Sequence, residues 1–305
     1  MIEDTLRFIR AVLTEELQRS RMPFPVEGSV CYGWAEGIRR GGETILYTGC
    51  AYQLAKIGET YDRLLPMISK IRGIEALSPM ARRFMKPDKR EIARVYRILR
   101  NIASMLRSSG VDFGYLYEEE PYSGTILLEL GMVEDFRRYG EKVFSLFKER
   151  GIRRIVTVDP HTHYSMLRLK GMLGYGPEVL NYLELIRGVK GEGTFVLHDS
   201  CLYARFLGMR DKLRGVLRDA GVELKEDDMV TGKETSMCCG GPLAPLSGEV
   251  SRKISEMRAS SLKAVHDKVL VACPFCYVNL SPFVETHDIA AVSYTHLTLP
   301  TKRIV

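Results

Sequence analysis

Two stretches of this chain share one outline. TILYTGCAYQLAK (44–56) and TFVLHDSCLYARFL (194–207) each run from a β-rich apolar segment through a small-residue turn to a cysteine, then a tyrosine two residues on, then helical spacing. The likeness continues downstream. EPYSGTILLELGM (120–132) can be set against MCCGGPLAPLSGE (237–249), so that Tyr122, Ser123 and Gly124 fall where Cys238, Cys239 and Gly240 stand. An amphipathic helix follows in both copies, over 133–150 and 250–266. RRIVTVDPHTH (153–163) then matches DKVLVACPFCY (267–277), with Asp159 at the place of Cys273, Pro160 at that of Pro274 and Thr162 at that of Cys276. Strands alternating with helices predict an α/β fold of two pseudo-duplicated halves, with mostly parallel sheets flanked by helices and ligand sites at the carboxyl ends of strands. The expected organisation is a helical cap over 1–40, a first half over 41–188 with a helical insertion at 60–108, and a second half over 189–291.

The second half gathers five of the seven cysteines. Cys201 is followed by 36 residues, then Cys238-Cys239, then 33 residues, then Cys273-Pro-Phe-Cys276. Adjacent cysteines are poorly placed to bridge each other, because about 3.8 Å between their Cα atoms is shorter than a disulfide normally spans. They are better placed to approach one common object, and the two glycines after them let the backbone come close to it. Each cysteine group sits at a predicted strand end or on the loop that follows. Five thiolates exceed the four ligands of tetrahedral zinc and suit an iron–sulfur cluster. A four-cysteine zinc site with one spare thiol is the competing reading of the same residues.

Bulk properties narrow the classes further. With 305 residues and 45% hydrophobic composition, the chain fills a core without help from metal or disulfides. Its formal charge of +6 is dispersed, with no basic strip interleaved with aromatics, which argues against nucleic acid. No apolar run reaches the roughly 20 residues of a membrane span, and MIEDTLRFIRAVLTEELQ (1–18) has helical rather than secretory spacing. A cytoplasmic location is expected, where thiols stay reduced and clustered cysteines bind metal or do redox work. VSYTHLTLPTKRIV (292–305) has no periodicity and resembles a translated sequencing adapter. It is expected to be non-native, in which case the formal charge drops from +6 to +4 with Lys302 and Arg303.

HDSC (198–201), CCGG (238–241) and CPFC (273–276), with YTGC (47–50) as a partial first copy, resemble the cysteine-rich CCG domain of heterodisulfide reductase and related iron–sulfur oxidoreductases. The resemblance covers about 40–291. It implies one non-cubane [4Fe–4S] cluster ligated by Cys201, Cys238, Cys239, Cys273 and Cys276. The implied activity is electron passage between a partner's redox centres and a thiol–disulfide substrate. The related lactate and glycolate oxidases imply the alternative of an electron-transfer subunit for a flavin dehydrogenase, and a zinc-stabilised binding module is the alternative of another class. The first copy departs from the pattern, keeping Cys50 alone, so one cluster is expected rather than two. The chain also lacks the CxxCxxCxxxCP runs of ferredoxin-type clusters. A ferredoxin-like iron–sulfur subunit or a flavoprotein is therefore the expected partner, through which the chain can associate with a membrane.

Other residues carry secondary expectations. Cys50, Asp159, His161 and His163 are permissible ligand types near predicted strand ends and together admit a zinc site in the first half. His198 can donate a hydrogen bond to a cluster sulfur or relay a proton, and stands as the candidate catalytic residue. Asp199 is placed to cap a helix starting at Cys201. Arg205 reads as a solvated helix face, Cys31 as an unpaired thiol, and Glu118 to Glu120 as a solvated loop. The glycines of KGMLGYGPE (170–178) lack phosphate-loop spacing and read as a connector.

Overall fold

The computed structural model describes residues 2–68, 88–231 and 236–294. Helix α1 (Ile2–Ser20) and the short α2 (Ser29–Tyr32) precede β1 (Thr44–Tyr47), which turns directly into α3 (Ala51–Ile68). Helix α4 (Lys89–Ser108) begins where the Asp88 carboxylate accepts from the Arg90 N–H. Short α5 (Thr125–Glu129) and long α6 (Val133–Glu149) lead to β2 (Arg154–Thr157), α7 (Pro160–Leu173), β3 (Glu178–Asn181) and α8 (Tyr182–Leu185). The second half runs β4 (Lys190–Gly191), β5 (Thr194–Leu197), a π-helical turn at Leu202–Phe206, α9 (Arg210–Ala220), β6 (Glu223–Lys225), α10 (Gly248–Lys263), β7 (Lys268–Val271), α11 (Pro274–Leu280), β8 (Glu285–Asp288), α12 (Ile289–Val292) and β9 (Ser293–Tyr294).

The strands form two all-parallel sheets, ordered β1-β2-β3 and β6-β5-β7-β8, and a small antiparallel pair β4-β9. The order β1-β2-β3 recurs in the second sheet as β5-β7-β8, and each matched strand feeds the same kind of helix. Strands TILY, RIVT, TFVL and KVLV are buried at their last three residues, as expected of parallel strands covered on both faces. Proline at the first helical position starts both α7 and α11, where its missing N–H costs nothing. The predicted α/β architecture is therefore the observed one.

The halves pack reciprocally. Helix α3, which follows β1, lies against α11, which follows β7; the π-turn after β5 lies against α7, which follows β2. One apolar cluster runs through both halves and includes Leu46, Tyr52 and Val156 from the first, Leu197, Tyr203 and Leu270 from the second. Tyr52 also donates to Asp288 Oδ2 across the junction at 2.9 Å. The carboxyl ends of β1, β2, β5 and β7 are thereby brought to one region.

Two local expectations change. The helix predicted from Cys201 is a single π-turn that ends at Phe206, and the chain turns away at Gly208, whose φ of +62° suits glycine. Of the segment set apart as non-native, Val292 ends α12 and Ser293–Tyr294 pair with Lys190–Gly191. Residues 295–305 lie outside the described residues, as does 69–87 of the helical insertion.

Candidate metal centre

All five cysteines of the second half meet. Cys201 leaves the end of β5, Cys238 and Cys239 lie in the loop before α10, and Cys273 and Cys276 flank the start of α11. Their thiols are neighbours in a chain of contacts from Cys201 to Cys238, Cys239, Cys276 and Cys273. Cys239, Cys273 and Cys276 are buried, while Cys201 and Cys238 are partly exposed.

The loop geometry follows from two glycines and two serines. Gly240 has φ of +91°, and a Cβ there would stand 2.5 Å from the Ser251 carbonyl oxygen. The close approach is fastened by Ser251 Oγ donating to Gly240 O at 2.9 Å and Ser255 Oγ donating to Cys239 O at 2.7 Å, both from α10. Gly241 lets the backbone pass near the Cys239 sulfur, which a Cβ there would meet at 3.5 Å.

The electrostatics divide the five sulfurs: Cys238 and Cys273 are held as thiolates, while hydrogen bonding to a neighbouring sulfur and burial raise Cys201, Cys239 and Cys276. Hydrogen bonds from Cys201 and Cys239 push the Cys238 thiol down to about 2, and the Gly240 N–H stands 3.3 Å from its sulfur. Burial raises Cys273, yet contacts with Cys276 and His161 bring it down to about 5. His161 itself is buried, which opposes its charge, but Glu129 and the Cys273 sulfur hold it protonated well above the usual histidine range.

His198 is 1% exposed at the end of β5. Its Nδ1 accepts from Arg258 Nε at 3.2 Å, and its Nε2 has no partner. A ring nitrogen of His198 and the sulfurs of Cys239 and Cys276 lie within 4.8 Å of one another. Burial, with the Arg258 charge beside it, lowers the His198 pKa to about 3, so the ring is neutral. Five converging thiols, more than tetrahedral zinc takes, and a buried ring nitrogen short of a partner fit an iron–sulfur group.

A cavity of about 90 Å³ opens onto this set between the halves. Cys201, Cys239 and Cys276 form one wall, and Leu54, Ile126 and Phe275 are among the apolar side chains of the others. Its polar rim is mostly acidic, with Glu59, Asp62 and Glu129 beside His161.

Of the first-half zinc candidates, His161 alone reaches this set, through Cys273 and the cavity wall. Cys31, expected as an unpaired thiol, is joined to Cys50 in a disulfide with Cα atoms 5.4 Å apart, within the normal span. Asp159 caps α7 through the His161 and Thr162 N–H groups, at 2.9 and 3.0 Å. His163 Nδ1 sits 2.8 Å from Thr157 Oγ1, and His161 turns to Glu129. Thus the four residues of the zinc reading each have a different partner. Ser123 and Thr162, at the places of Cys239 and Cys276, do close over the turn before Cys50: a Cβ on Gly49 would meet them at 2.8 and 2.7 Å.

Two further expectations are corrected, for Asp199 and for Glu120. Asp199 makes no helix cap and instead binds Arg214 at 2.7 and 3.0 Å. Arg205 is solvent-exposed, as expected, and its guanidinium also donates to the Ser236 carbonyl beside the cysteine pair. Within the acidic run, Glu118 and Glu119 pair with Arg40 and Arg150, but Glu120 is 2% exposed and accepts from Thr48 and Gly49 N–H groups. Arg258 and Glu129 escaped notice in the sequence, where nothing separates them from other charged helical residues.

Fold and site together define an α/β protein with five cysteines gathered where its two parallel sheets meet. Residues 195–281 match the cysteine-rich CCG domain. Three curated relatives align with about three fifths of the chain. The probable iron–sulfur-binding oxidoreductase FadF of Bacillus subtilis is 30% identical over 201 residues, covering 61% of this chain and 28% of that protein. The EtfAB:quinone oxidoreductase of Syntrophomonas wolfei is 26% identical over 215 residues, 64% of this chain and 30% of that protein. A probable membrane-anchored ferredoxin of Chromohalobacter salexigens is 29% identical over 210 residues, 62% and 30%. The chain thus spans under a third of the length of these relatives. Residues 195–281 thus carry a CCG cysteine-rich domain, and these similarities support a relationship to the CCG-domain iron–sulfur oxidoreductases. Among the described residues no helix is long and apolar enough to cross a membrane.

Proposed function

We propose that this chain is an electron-transfer component of an iron–sulfur oxidoreductase, with one non-cubane [4Fe–4S] cluster on Cys201, Cys238, Cys239, Cys273 and Cys276. The observation that carries the reading is the meeting of five thiols from three separated loops, three of them lining a cavity. When bound, the group supplies one-electron transfer. The chain's own residues hold it, keep Cys238 and Cys273 as thiolates and screen Cys239, Cys273 and Cys276 from bulk water by burial.

The cavity is where a substrate would meet the centre. A thiol–disulfide substrate is the first reading, in line with the heterodisulfide reductase resemblance; its reduction takes two electrons and two protons to give two thiols. The electrons come from a partner, a ferredoxin-like subunit or a flavoprotein, in the cytoplasm or at a membrane held by that partner. A second reading is electron transfer for a flavin-dependent dehydrogenase, and the relative named EtfAB:quinone oxidoreductase favours a flavoprotein partner.

Metal analysis of anaerobically purified protein tests the core of the proposal. Iron and sulfide at about four per chain are expected; one zinc and no iron would overturn it in favour of a zinc-stabilised module. Cys239→Ser should lose or convert the cluster while Cys31→Ser keeps it. Equal iron in both variants contradicts the ligand set.

A further inference from the structure

Arg258 projects from α10 into the protein interior and is 2% exposed. Its Nε donates to His198 Nδ1 at 3.2 Å and its Nη1 to the Val230 carbonyl at 2.6 Å, while Nη2 is buried without a partner. No ion pair joins it to a carboxylate among the described residues, and Asp199, the acid that acts on it, is clasped on both oxygens by Arg214. A buried cation left without an anion is strongly unfavourable. The other groups that act on its charge are the sulfurs of Cys276 and Cys239.

A guanidinium has donors and no acceptor. His198 Nδ1 must therefore accept, and the single ring proton sits on Nε2, which is buried without a partner on a ring that lies beside the sulfurs of Cys239 and Cys276. We propose that Arg258 is a positioning residue of the metal centre: it fixes His198 in the tautomer whose Nε2–H points at those sulfurs, and it supplies the buried positive charge that offsets the negative charge gathered on the five cysteines. The proposal rests on the reading of those cysteines as iron ligands. A hydrogen bond to a sulfur and a nearby positive charge both stabilise the reduced form of a cluster, so both raise its potential.

Two measurements on the full chain test this. Nitrogen NMR of the metal-free, ¹⁵N-histidine-labelled protein, with His198→Gln used to assign the signal, should show the Nε2–H tautomer at His198. An Nδ1–H tautomer in the unmutated chain overturns the proposal without any variant of Arg258. Redox titration of the iron-loaded protein, followed by electron paramagnetic resonance, should give a lower potential in Arg258→Met. Arg258→Lys, which keeps the charge but loses the fork, should lie closer to the parent while His198 loses its single tautomer. An unchanged potential in an iron-loaded Arg258→Met sample overturns the proposal, and if that variant does not accumulate, the lysine variant and the parent tautomer decide. Should the parent chain take up no iron, the iron reading fails, and the tautomer measurement still judges the hold of Arg258 on His198.

Discussion

His163 stands 5% exposed on α7, where burial pushes its pKa down to about 4 from an ordinary 6.5. A folded-state value below the unfolded one means that between pH 4 and 6.5 the unfolded chain binds the extra proton and the native chain does not. The contribution is thus complete above about pH 6.5 and is lost as pH falls toward 4, by up to about 3 kcal/mol. His163→Gln should remove it. In chemical denaturation across that range, the stability difference between parent and variant should shrink on acidification; a difference independent of pH contradicts the assignment. At this scale the sequence was legible where spacing carries chemistry. Five cysteines at 201, 238, 239, 273 and 276 announce one centre because short motifs at strand ends need little tertiary information. It was silent on Arg258, which meets His198 across 60 residues, and on Cys31, which meets Cys50 only after α2 packs beside the β1 turn. Glu120 was misread for the same reason, since its burial depends on the Thr48-Gly49 backbone 71 and 72 residues away.

Among elements, the loop of Cys238 and Cys239 depends on α10 more than on its own sequence. Gly240 is in the left-handed region and faces the Ser251 carbonyl at a distance no real Cβ tolerates. Gly240→Ala should therefore cost on the order of 2 kcal/mol from backbone strain alone, with a further clash against α10. Ser255→Ala removes the 2.7 Å bond to the Cys239 carbonyl without adding bulk and should cost about 1 kcal/mol. Thermal melts read both, and iron retention through gel filtration should fall further for Gly240→Ala than for Ser255→Ala. An alanine at 240 that leaves melting temperature and iron content unchanged would show that the loop is not held this way. The glycines were conspicuous in the sequence, and their role in close backbone approach was readable there. The identity of what approaches was not, because Ser251 and Ser255 look like ordinary polar positions of an amphipathic helix. Helical spacing after Cys201 likewise hid a π-turn, since one turn of either kind presents the same apolar residues.

For the whole molecule, the duplicated strand order was visible in sequence because each parallel strand is a short apolar run with a turn signal. How the halves sit together was not, since α3 on α11 and the π-turn on α7 are contacts between elements far apart in the chain. That packing sets a strong condition on the metal centre. All five cysteines belong to the second half, yet Leu197, Tyr203 and Leu270 beside them share one apolar cluster with Leu46, Tyr52 and Val156 of the first half. The buried Asp288, its pKa raised to about 6 by burial, takes one of its hydrogen bonds from Tyr52. Residues 189–294 expressed alone would expose that apolar surface and leave Asp288 short of a donor. The fragment should therefore fail to unfold cooperatively in denaturant and should retain no iron after anaerobic reconstitution, although it contains every proposed ligand. Tyr52→Phe in the full chain is the milder form of the same experiment and should lower stability by about 1 kcal/mol with iron content kept. A fragment that folds cooperatively and holds iron would show that the first half is dispensable to the centre, and that the shared core is not what places the cysteines.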